Sequence, residues 1–203
     1  MIAIIQARTN SKRFPKKVLH LIKGRPLIQH VIERVKKSKT VTDIIVATSK
    51  NKSDDNLVFF LKKNKTNYYR GSLVNVASRF LQIAKIKKKK YFIRISGDSP
   101  LISPKIINRA VKLHKKKPKY DLITNTFPRT FPHGQSVEII KTSILENNIK
   151  KMNKFELEHV TQFFYRKYRE FLIKNFISTR KNVSIKLAVD TKKDLKNILK
   201  IIK

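Results

Sequence analysis

Short apolar runs that alternate with segments of helical periodicity constrain the fold of this chain more than any other feature. Residues 2–5 predict a buried strand, because four branched or small apolar residues are too few for a helix before the polar residues begin. Apolar residues recur at helical spacing from 27 to 35, and residues 43–48 form a second apolar run. Strand, helix and strand in this order predict a parallel α/β sheet.

The pattern continues to the end of the sequence. The polar loop 49–55 contains Ser53, which we predict to be the N-cap of a second helix. With 203 residues and 40 % hydrophobic content, the chain can bury one substantial core, so we expect a single domain over residues 1–203. Further helices are predicted near 53–61, 74–84, 104–113, 142–148, 155–168 and 195–202, and further strands near 91–96, 121–125, 137–140, 171–176 and 184–189.

The loop after the first strand is crowded with cations. It carries Arg8, Lys12, Arg13, Lys16 and Lys17 and contains no acidic residue. Open α/β sheets bind ligands at the carboxyl ends of their strands, and clustered cations with free backbone N–H groups suit a polyphosphate. The alternative is a basic loop that is merely solvated.

An aspartate follows each of two other predicted strands. Asp98 comes directly after the run 91–96 and is preceded by Gly97, while Asp190 follows the run 186–189. Asp190 also suits a simple helix cap, because Thr191 begins a helix. In the functional interpretation the two carboxylates hold Mg²⁺ against a nucleoside triphosphate. The sequence contains neither the P-loop motif nor the G-x-G-x-x-G dinucleotide motif.

The formal net charge of +35 would by itself suggest a nucleic acid or an anionic membrane surface as partner. The basic residues are nevertheless spread along the chain, and the densest run, 85–90, falls between a predicted helix and a predicted strand. We therefore expect no specific nucleic-acid partner, and we expect the charge to steer anionic substrates towards the protein.

Cysteine is absent, which excludes disulfides and thiolate metal sites. No apolar stretch approaches the length of a membrane span, and the short N-terminal apolar run does not resemble a signal peptide. We therefore expect a cytoplasmic protein without a membrane span.

Residues 5–19, Ile-Gln-Ala-Arg-Thr-Asn-Ser-Lys-Arg-Phe-Pro-Lys-Lys-Val-Leu, resemble the signature of the cytidylyltransferases that activate acidic sugars. These include CMP-Kdo synthetases and acylneuraminate cytidylyltransferases, and the strongest likeness is to the spore-coat polysaccharide biosynthesis type. The likeness covers nearly the whole chain. Other motifs fall in the family's order at 46–48, 70–72, 94–101, 129–132, 158–161, 189–191 and 194–195.

The resemblance implies a Rossmann-like nucleotidyltransferase fold, the nucleotide-diphospho-sugar transferase type, which is a three-layer α/β sandwich with a mostly parallel sheet. It also implies transfer of CMP from CTP to an acidic sugar with release of pyrophosphate, Mg²⁺ as cofactor, and a homodimer. The proline-punctuated stretch after Thr126 suits a covering or dimerisation subregion over residues 126–180.

The resemblance assigns roles by position. As implied catalytic residues it gives Arg8, Lys17 and Asp98; as nucleotide-binding residues Ala7, Arg8, Arg13, Lys17, Arg70, Ser72 and Asp98; as substrate-binding residues Arg79, Asn125, Glu138 and His159; and as metal ligands Asp98 and Asp190. Glu138 and His159 are candidate sugar contacts or proton carriers, or they are structural.

Two positions depart from the family pattern. Asn10 stands where many relatives have glycine, but asparagine tolerates a left-handed backbone. The stretch 133–138 lacks the acidic residues that often flank its glycine, so the sequence does not identify the sugar. Two alternatives stay open: a nucleotidyltransferase that uses a sugar phosphate and another nucleotide, and a non-catalytic protein that binds nucleotides or polyanions.

Overall fold

A seven-stranded sheet forms the centre of the protein in a computed structural model, which describes residues 1–179 and 184–202. Its strand order is β5-β4-β1-β6-β8-β7-β9, and β2 and β3 form a separate hairpin. The strands are β1 Ile2–Gln6, β2 Leu21–Ile22, β3 Arg25–Pro26, β4 Asp43–Ser49, β5 Tyr68–Gly71, β6 Tyr91–Ser96, β7 Leu122–Thr124, β8 Glu138–Lys141 and β9 Ile173–Asn175.

Eight α-helices connect and cover these strands within the described ranges. They are α1 Leu27–Lys36, α2 Asp55–Lys63, α3 Val76–Ile86, α4 Pro104–Lys116, α5 Thr142–Asn148, α6 Lys154–Glu158, α7 Gln162–Arg166 and α8 Lys192–Ile201. Short 3₁₀ helices lie at Lys17–Leu19, Lys52–Asp54, Ile149–Lys151 and Tyr168–Glu170.

The sheet is mostly parallel, as the resemblance implied. β1 lies between β4 and β6 and is parallel to both, and β5 is parallel to β4. β8 alone among the seven described strands runs against its neighbours β6 and β7, while β9 is parallel to β7. Six strands therefore place their carboxyl ends at one edge of the sheet.

Alternate side chains of β1 feed two separate cores, which makes the protein three-layered. Ala3 and Ile5 pack with residues of α1 and α4 on one face of the sheet. Ile2 and Ile4 pack with residues of α3, α5 and α7 on the other. A strand buried on both faces needs a continuous apolar run, which explains the sequence of β1.

Most predicted elements are confirmed, two local predictions are wrong, one strand was not predicted, and the helix predicted over 155–168 is divided into α6 and α7. No strand forms over 184–189, where Lys186 makes only an isolated bridge to His133. Conversely, β5 was not predicted, because its short Tyr-Tyr-Arg-Gly sequence has no apolar pattern. Ser53 is not an N-cap; Asn51 caps that turn by accepting a hydrogen bond from the Ser53 N–H.

The predicted covering subregion 126–180 contains β8, α5 to α7 and β9, and its last residue lies outside the described ranges. Its buried Phe163 and Phe164 join the core that contains Phe80 of α3, while Phe131 and Phe176 join the core on the other face of the sheet. The single-domain boundary and the dimerisation role stay predictions. None of the described helices is long and apolar enough to cross a lipid bilayer.

Gly134 is expected to be intolerant of a side chain. Its φ is +94°, and an added Cβ would lie 2.6 Å from the Ala188 backbone nitrogen and closer still to Leu187. Backbone strain and this clash together should make Gly134→Ala lose about 2 kcal/mol of unfolding free energy, measured by urea denaturation.

Gly24 supplies the matched control, because its φ is +76° but an added Cβ meets nothing within 4 Å. Gly24→Ala should therefore cost only about 1 kcal/mol, from strain alone. Equal losses in the two variants would show that the contact with residues 187 and 188 is unimportant.

Candidate active site

A cavity of about 640 Å³ opens at the edge of the sheet where the parallel strands β1 and β6 end. Its wall is mostly polar and draws on five separate parts of the sequence. The lining residues are Gln6, Ala7, Arg8, Asn10, Ser11, Lys12, Arg13, Lys17, Val18, Val76, Arg79, Arg94, Ser96, Gly97, Asp98, Glu158, His159 and Asp190.

Gly97 allows the ends of β1 and β6 to approach each other closely. Its N–H donates to the Gln6 carbonyl at 2.8 Å. A Cβ at this position would lie 2.7 Å from that oxygen and 2.9 Å from the Cβ of Ala7. Glycine is therefore required sterically here, and it holds Asp98 beside the loop that follows β1.

Lys17 joins the two predicted carboxylates. Its Nζ lies 2.9 Å from Asp98 Oδ2 and 3.2 Å from Asp190 Oδ1, and it also donates to the Val189 carbonyl at 2.9 Å. The Lys17 side chain is only 12 % exposed. Asp98 and Asp190 therefore converge on one cationic position, although they are 92 residues apart in the sequence.

Two further cations contact Asp190. Arg13 Nη2 lies 3.1 Å from Oδ1, and Lys186 Nζ lies 3.0 Å from Oδ2. Burial opposes ionisation of Asp190, but its contacts with Lys186 and Lys17 outweigh burial and hold the pKa of the carboxyl below its usual value.

Backbone contacts, and not a strand, position Asp190. The Leu187 N–H donates to the His133 carbonyl at 2.7 Å, and the Val189 N–H donates to the Asp98 carbonyl at 2.9 Å. Thr191 is the N-cap of α8 and forms a capping box with Asp194, so the Asp190 carboxylate is free of the capping role that the sequence left open.

Buried Asp54 anchors the loop that follows β1. Its Oδ1 accepts the Thr9 backbone N–H at 2.7 Å and the Thr9 hydroxyl at 2.8 Å, and its Oδ2 accepts the Ser49 N–H at 3.0 Å and the Ser49 hydroxyl. Burial opposes ionisation, yet these hydrogen bonds hold the pKa of Asp54 below its usual value. Asp54 thereby fixes the start of the cationic loop against the end of β4.

The loop continues over Phe14, which is buried, to the 3₁₀ turn that begins at Lys17. Lys16 adopts φ 56°, and its N–H donates to the Thr9 carbonyl at 2.7 Å. The left-handed residue of this loop is thus Lys16 and not Asn10, so the missing glycine at position 10 leaves the loop geometry intact.

Another part of the cavity wall is built around Arg8 and Arg94. Arg8 Nη2 contacts Glu158 Oε1 at 2.5 Å, and Arg94 Nε donates to Gln6 Oε1 at 3.0 Å. His159 lies beside them; burial lowers its pKa, Glu158 partly opposes this, and Arg94 and Arg8 add to it. The imidazole is therefore mostly neutral near pH 7.

Arg79 is the buried cation of the wall. It is 2 % exposed, its Nη1 donates to the Ala47 carbonyl at 3.2 Å, and its buried Nε has no hydrogen-bond partner among the described residues. Burial lowers the pKa of Arg79 to about 10, with Asp54 opposing the shift, so the guanidinium is still charged at neutral pH. An incompletely satisfied buried cation favours an anionic or carbonyl-bearing ligand.

Most of the sequence-predicted site residues share this cavity, and four do not line it. Arg70 donates to the Ser49 carbonyl and to Asp55, and Ser72 accepts from the Asn75 N–H. Asn125 is fully buried, with its amide bonded to the backbone of residues 135 and 137. Glu138, 2 % exposed, contacts Arg94 and Tyr165. Their ligand roles stay predictions.

Three polar residues in or beside the site, Arg94, Glu158 and Asp54, are not among the site residues that the sequence predicts. Arg94 and Glu158 lie inside motifs that supported the resemblance, but their spacing gives no sign that they flank Gln6 and Arg8. Asp54 lay in a polar loop and was indistinguishable from its neighbour Asp55. Only the three-dimensional contacts distinguish them.

A family model described as cytidylyltransferase matches residues 2–203 of the chain. A 3-deoxy-manno-octulosonate cytidylyltransferase from Bdellovibrio bacteriovorus is 32 % identical over 71 % of this chain and 58 % of that protein. A spore coat polysaccharide biosynthesis protein from Bacillus subtilis is 27 % identical over 98 % of this chain and 84 % of that protein. The structure of a cytidylyltransferase from Leptospira borgpetersenii is similar with a TM-score of 0.93, at 29 % identity over 98 % of this chain and 84 % of that one.

Proposed function

Because this chain belongs to the cytidylyltransferase family, we propose that it transfers CMP from CTP to a hydroxyl group of an acidic sugar and releases pyrophosphate. The observation that carries the proposal is the convergence of Lys17, Asp98 and Asp190 in the wall of a cavity lined by further cations. The sugar class is supported by the relative from B. bacteriovorus, whose named substrate is a sugar acid.

The two aspartates suit Mg²⁺ as part of a shared coordination set. Both approach the same Lys17 ammonium within 3.2 Å, so they can face one cation, and carboxylate oxygens are preferred ligands of Mg²⁺. The described residues contain no group of three or more side chains that could hold a metal by themselves. We therefore propose that Asp98 and Asp190 hold Mg²⁺ together with triphosphate oxygens, where the ion would neutralise phosphate charge.

Arg8, Arg13 and Lys17 are the chain's own groups for binding and orienting the triphosphate. Arg13 is 68 % exposed and can reorient towards an entering ligand, whereas Lys17 is fixed between the carboxylates. A sugar oxygen attacks the α-phosphorus, a new P–O bond forms, and the bond from the α-phosphorus to the bridging oxygen of pyrophosphate breaks. Fixed cations around the phosphates stabilise the charge that develops in this step.

The attacking hydroxyl must lose its proton. His159 is suited to accept it, because its lowered pKa leaves the imidazole neutral near pH 7 and it lines the same cavity as Lys17. Arg79 and Arg94 would bind the carboxylate of an acidic sugar, since both guanidinium groups line this wall.

The test is to offer CTP, ATP, GTP and UTP separately with Mg²⁺ and a panel of acidic and neutral sugars, and to measure pyrophosphate. We expect release only with CTP and only with sugars that carry a carboxylate. Release with another nucleotide and a sugar phosphate would favour the alternative nucleotidyltransferase, and no release with any pair would favour a protein that only binds nucleotides.

The proposal includes a homodimer and a cytoplasmic location. The reaction consumes CTP, which is a cytoplasmic metabolite, and the subregion 126–180 would supply the dimer contacts. Exposed Phe155 and Tyr168 in that subregion are apolar groups suited to such a contact. Sedimentation of a monomer at micromolar concentration would contradict the dimer.

A further inference from the structure

The edge of the sheet opposite the cavity carries a concentration of lysine that the linear sequence does not reveal. Four connections, each counted from the last one or two residues of a helix, lead into parallel strands: 36–42 into β4, 62–67 into β5, 85–90 into β6 and 115–120 towards β7. They contain three, three, five and four lysines respectively, and no acidic residue and no arginine. We call these four connections the lysine face.

Uniform basic composition does not account for this concentration. If the 36 lysines of the chain were spread evenly over 203 residues, these 25 positions would contain about four of them. Lysine near a helix C-terminus is favourable because of the helix dipole, but that effect reaches only the last turn. It explains one or two lysines at each connection and leaves the continuous runs unexplained.

The topology places the four connections side by side. Because β4, β5, β6 and β7 are parallel to β1, the connections that enter them all lie at the amino edge. In spatial order they run 62–67, 36–42, the N-terminal ammonium of Met1, 85–90 and 115–120. At about 4.8 Å between neighbouring strands, the row from β5 to β7 is roughly 24 Å long.

The electrostatics of Met1 show that these cations act on one another. The N-terminal ammonium donates a hydrogen bond to the Thr40 carbonyl at 2.9 Å, which holds Met1 between the connections 36–42 and 85–90. Burial and repulsion from Lys115 and Lys89, which belong to two different connections, lower the pKa of this ammonium. Two acids outside the connections, Asp43 and Glu146, neutralise Lys87 and Lys85, and the other lysines of the face make no ion pair among the described residues.

We propose that the lysine face docks on an anionic lipid bilayer, which leaves the cavity at the opposite edge open to nucleotide. Clustered lysines bind anionic lipid surfaces by charge without a specific geometry. Exposed Ile86, 64 % accessible within the run 85–90, and Leu172 at the start of β9 add aliphatic groups that can enter the headgroup layer. A surface that reads or stacks nucleic-acid bases would also use arginine and exposed aromatic rings, and the one aromatic ring of the four connections, Tyr120, is partly buried.

Vesicle sedimentation of the full chain tests this surface. With about 30 % phosphatidylglycerol in phosphatidylcholine the protein should sediment at about 0.1 M NaCl and stay in solution at about 0.5 M, because salt screens surface charge. It should not sediment with phosphatidylcholine alone. Failure to bind the anionic vesicles at low salt would overturn the proposal.

Charge removal separates the lysine face from the general charge of the protein. Joint replacement Lys88→Gln, Lys89→Gln and Lys90→Gln should weaken vesicle binding about 100-fold, at roughly fivefold for each lysine. The matched control removes three exposed lysines elsewhere, Lys150→Gln, Lys151→Gln and Lys154→Gln, and should change binding less than about threefold.

Circular dichroism and thermal melting establish that both triple variants are folded. Equal losses of vesicle binding in the two would overturn the assignment to this face.

A competition experiment measures whether a single-stranded RNA displaces the protein from the vesicles. If it binds more tightly than the vesicles and the same three lysines govern that binding, the surface is a nucleic-acid surface and the lipid proposal is wrong.

Discussion

Replacement of Asp98 by asparagine is expected to lower CTP-dependent pyrophosphate release by about 10³-fold while the protein stays folded. Asparagine keeps the shape of the side chain but removes the negative charge that Asp98 presents to Lys17 at 2.9 Å. The remaining carboxylate, Asp190, would still bind Lys17, which preserves the local fold. The rate falls because loss of one of the two carboxylates should weaken productive binding of Mg²⁺ with the triphosphate.

The measurement is the steady-state rate of pyrophosphate release as a function of Mg²⁺ concentration. Asp190→Asn should have a similar effect, and the double variant should lose little more than either single variant, because the two groups act on one ion. Asp43→Asn is the matched control, since Asp43 forms an ion pair with Lys87 at the amino edge of the sheet and does not line the cavity. A wild-type rate for Asp98→Asn would restrict Asp98 to a structural contact with Lys17.

Truncation of Glu138 to alanine is expected to destabilise the protein by about 3 kcal/mol, because it removes the carboxylate partner of Arg94, whose side chain is only 14 % exposed, and of the Tyr165 hydroxyl. The Glu138 carboxylate accepts from Arg94 Nη1 and from the Tyr165 hydroxyl, and it is 2 % exposed. Burial and the neighbouring Glu138 raise the pKa of Tyr165, so this phenol remains a donor at all moderate pH values. A thermal midpoint about 10 °C lower checks the expected loss.

Two further variants separate this structural role from the sugar-binding role that the sequence implied for Glu138. Glu138→Gln keeps an oxygen that can accept from Tyr165, so it should fold well enough for kinetics; an unchanged KM for the sugar then supports a structural role, and a large rise supports sugar contact. Glu156→Ala is the stability control, since Glu156 is equally buried but pairs with Arg166, whose side chain is 53 % exposed. It should cost about 1–2 kcal/mol less than Glu138→Ala.

The fold was largely predictable because its central strands are buried on both faces. The buried central residues of β1, β4 and β6 are mostly apolar for that reason, and such runs are visible in the sequence. The sequence pattern did not show that β8 enters between β6 and β7 in the antiparallel sense, because a strand carries no local mark of its neighbours. The wrong strand over 184–189 has the same origin: its alternating residues resemble a strand, but its backbone pairs only at isolated points.

The site was predictable only in part. The sequence predicts a shared site for Lys17, Asp98 and Asp190, because Lys17 lies in the family signature and each aspartate follows a predicted strand. The carboxyl ends of parallel strands meet at one edge of the sheet. Asp54 was missed because its function is to bind the backbone of Thr9, 45 residues earlier, and no local pattern signals such a contact. Arg94 and Glu138 face each other across two antiparallel strands, which follows from the register of β6 and β8 and from no spacing in the sequence.

The ammonium of Lys17 also has a consequence for the order in which this protein is made. Its two carboxylate partners lie 81 and 173 residues further along the chain. During synthesis α1 can form early from local contacts and the cationic loop can be anchored once Asp54 is present, but the carboxylate cluster cannot exist until residue 190 has left the ribosome and packed against Asp98. A nascent chain that ends before this point contains Lys17 and Asp98 but lacks the carboxylate of Asp190, so on the proposed function it should have no transferase activity until most of the protein has been translated.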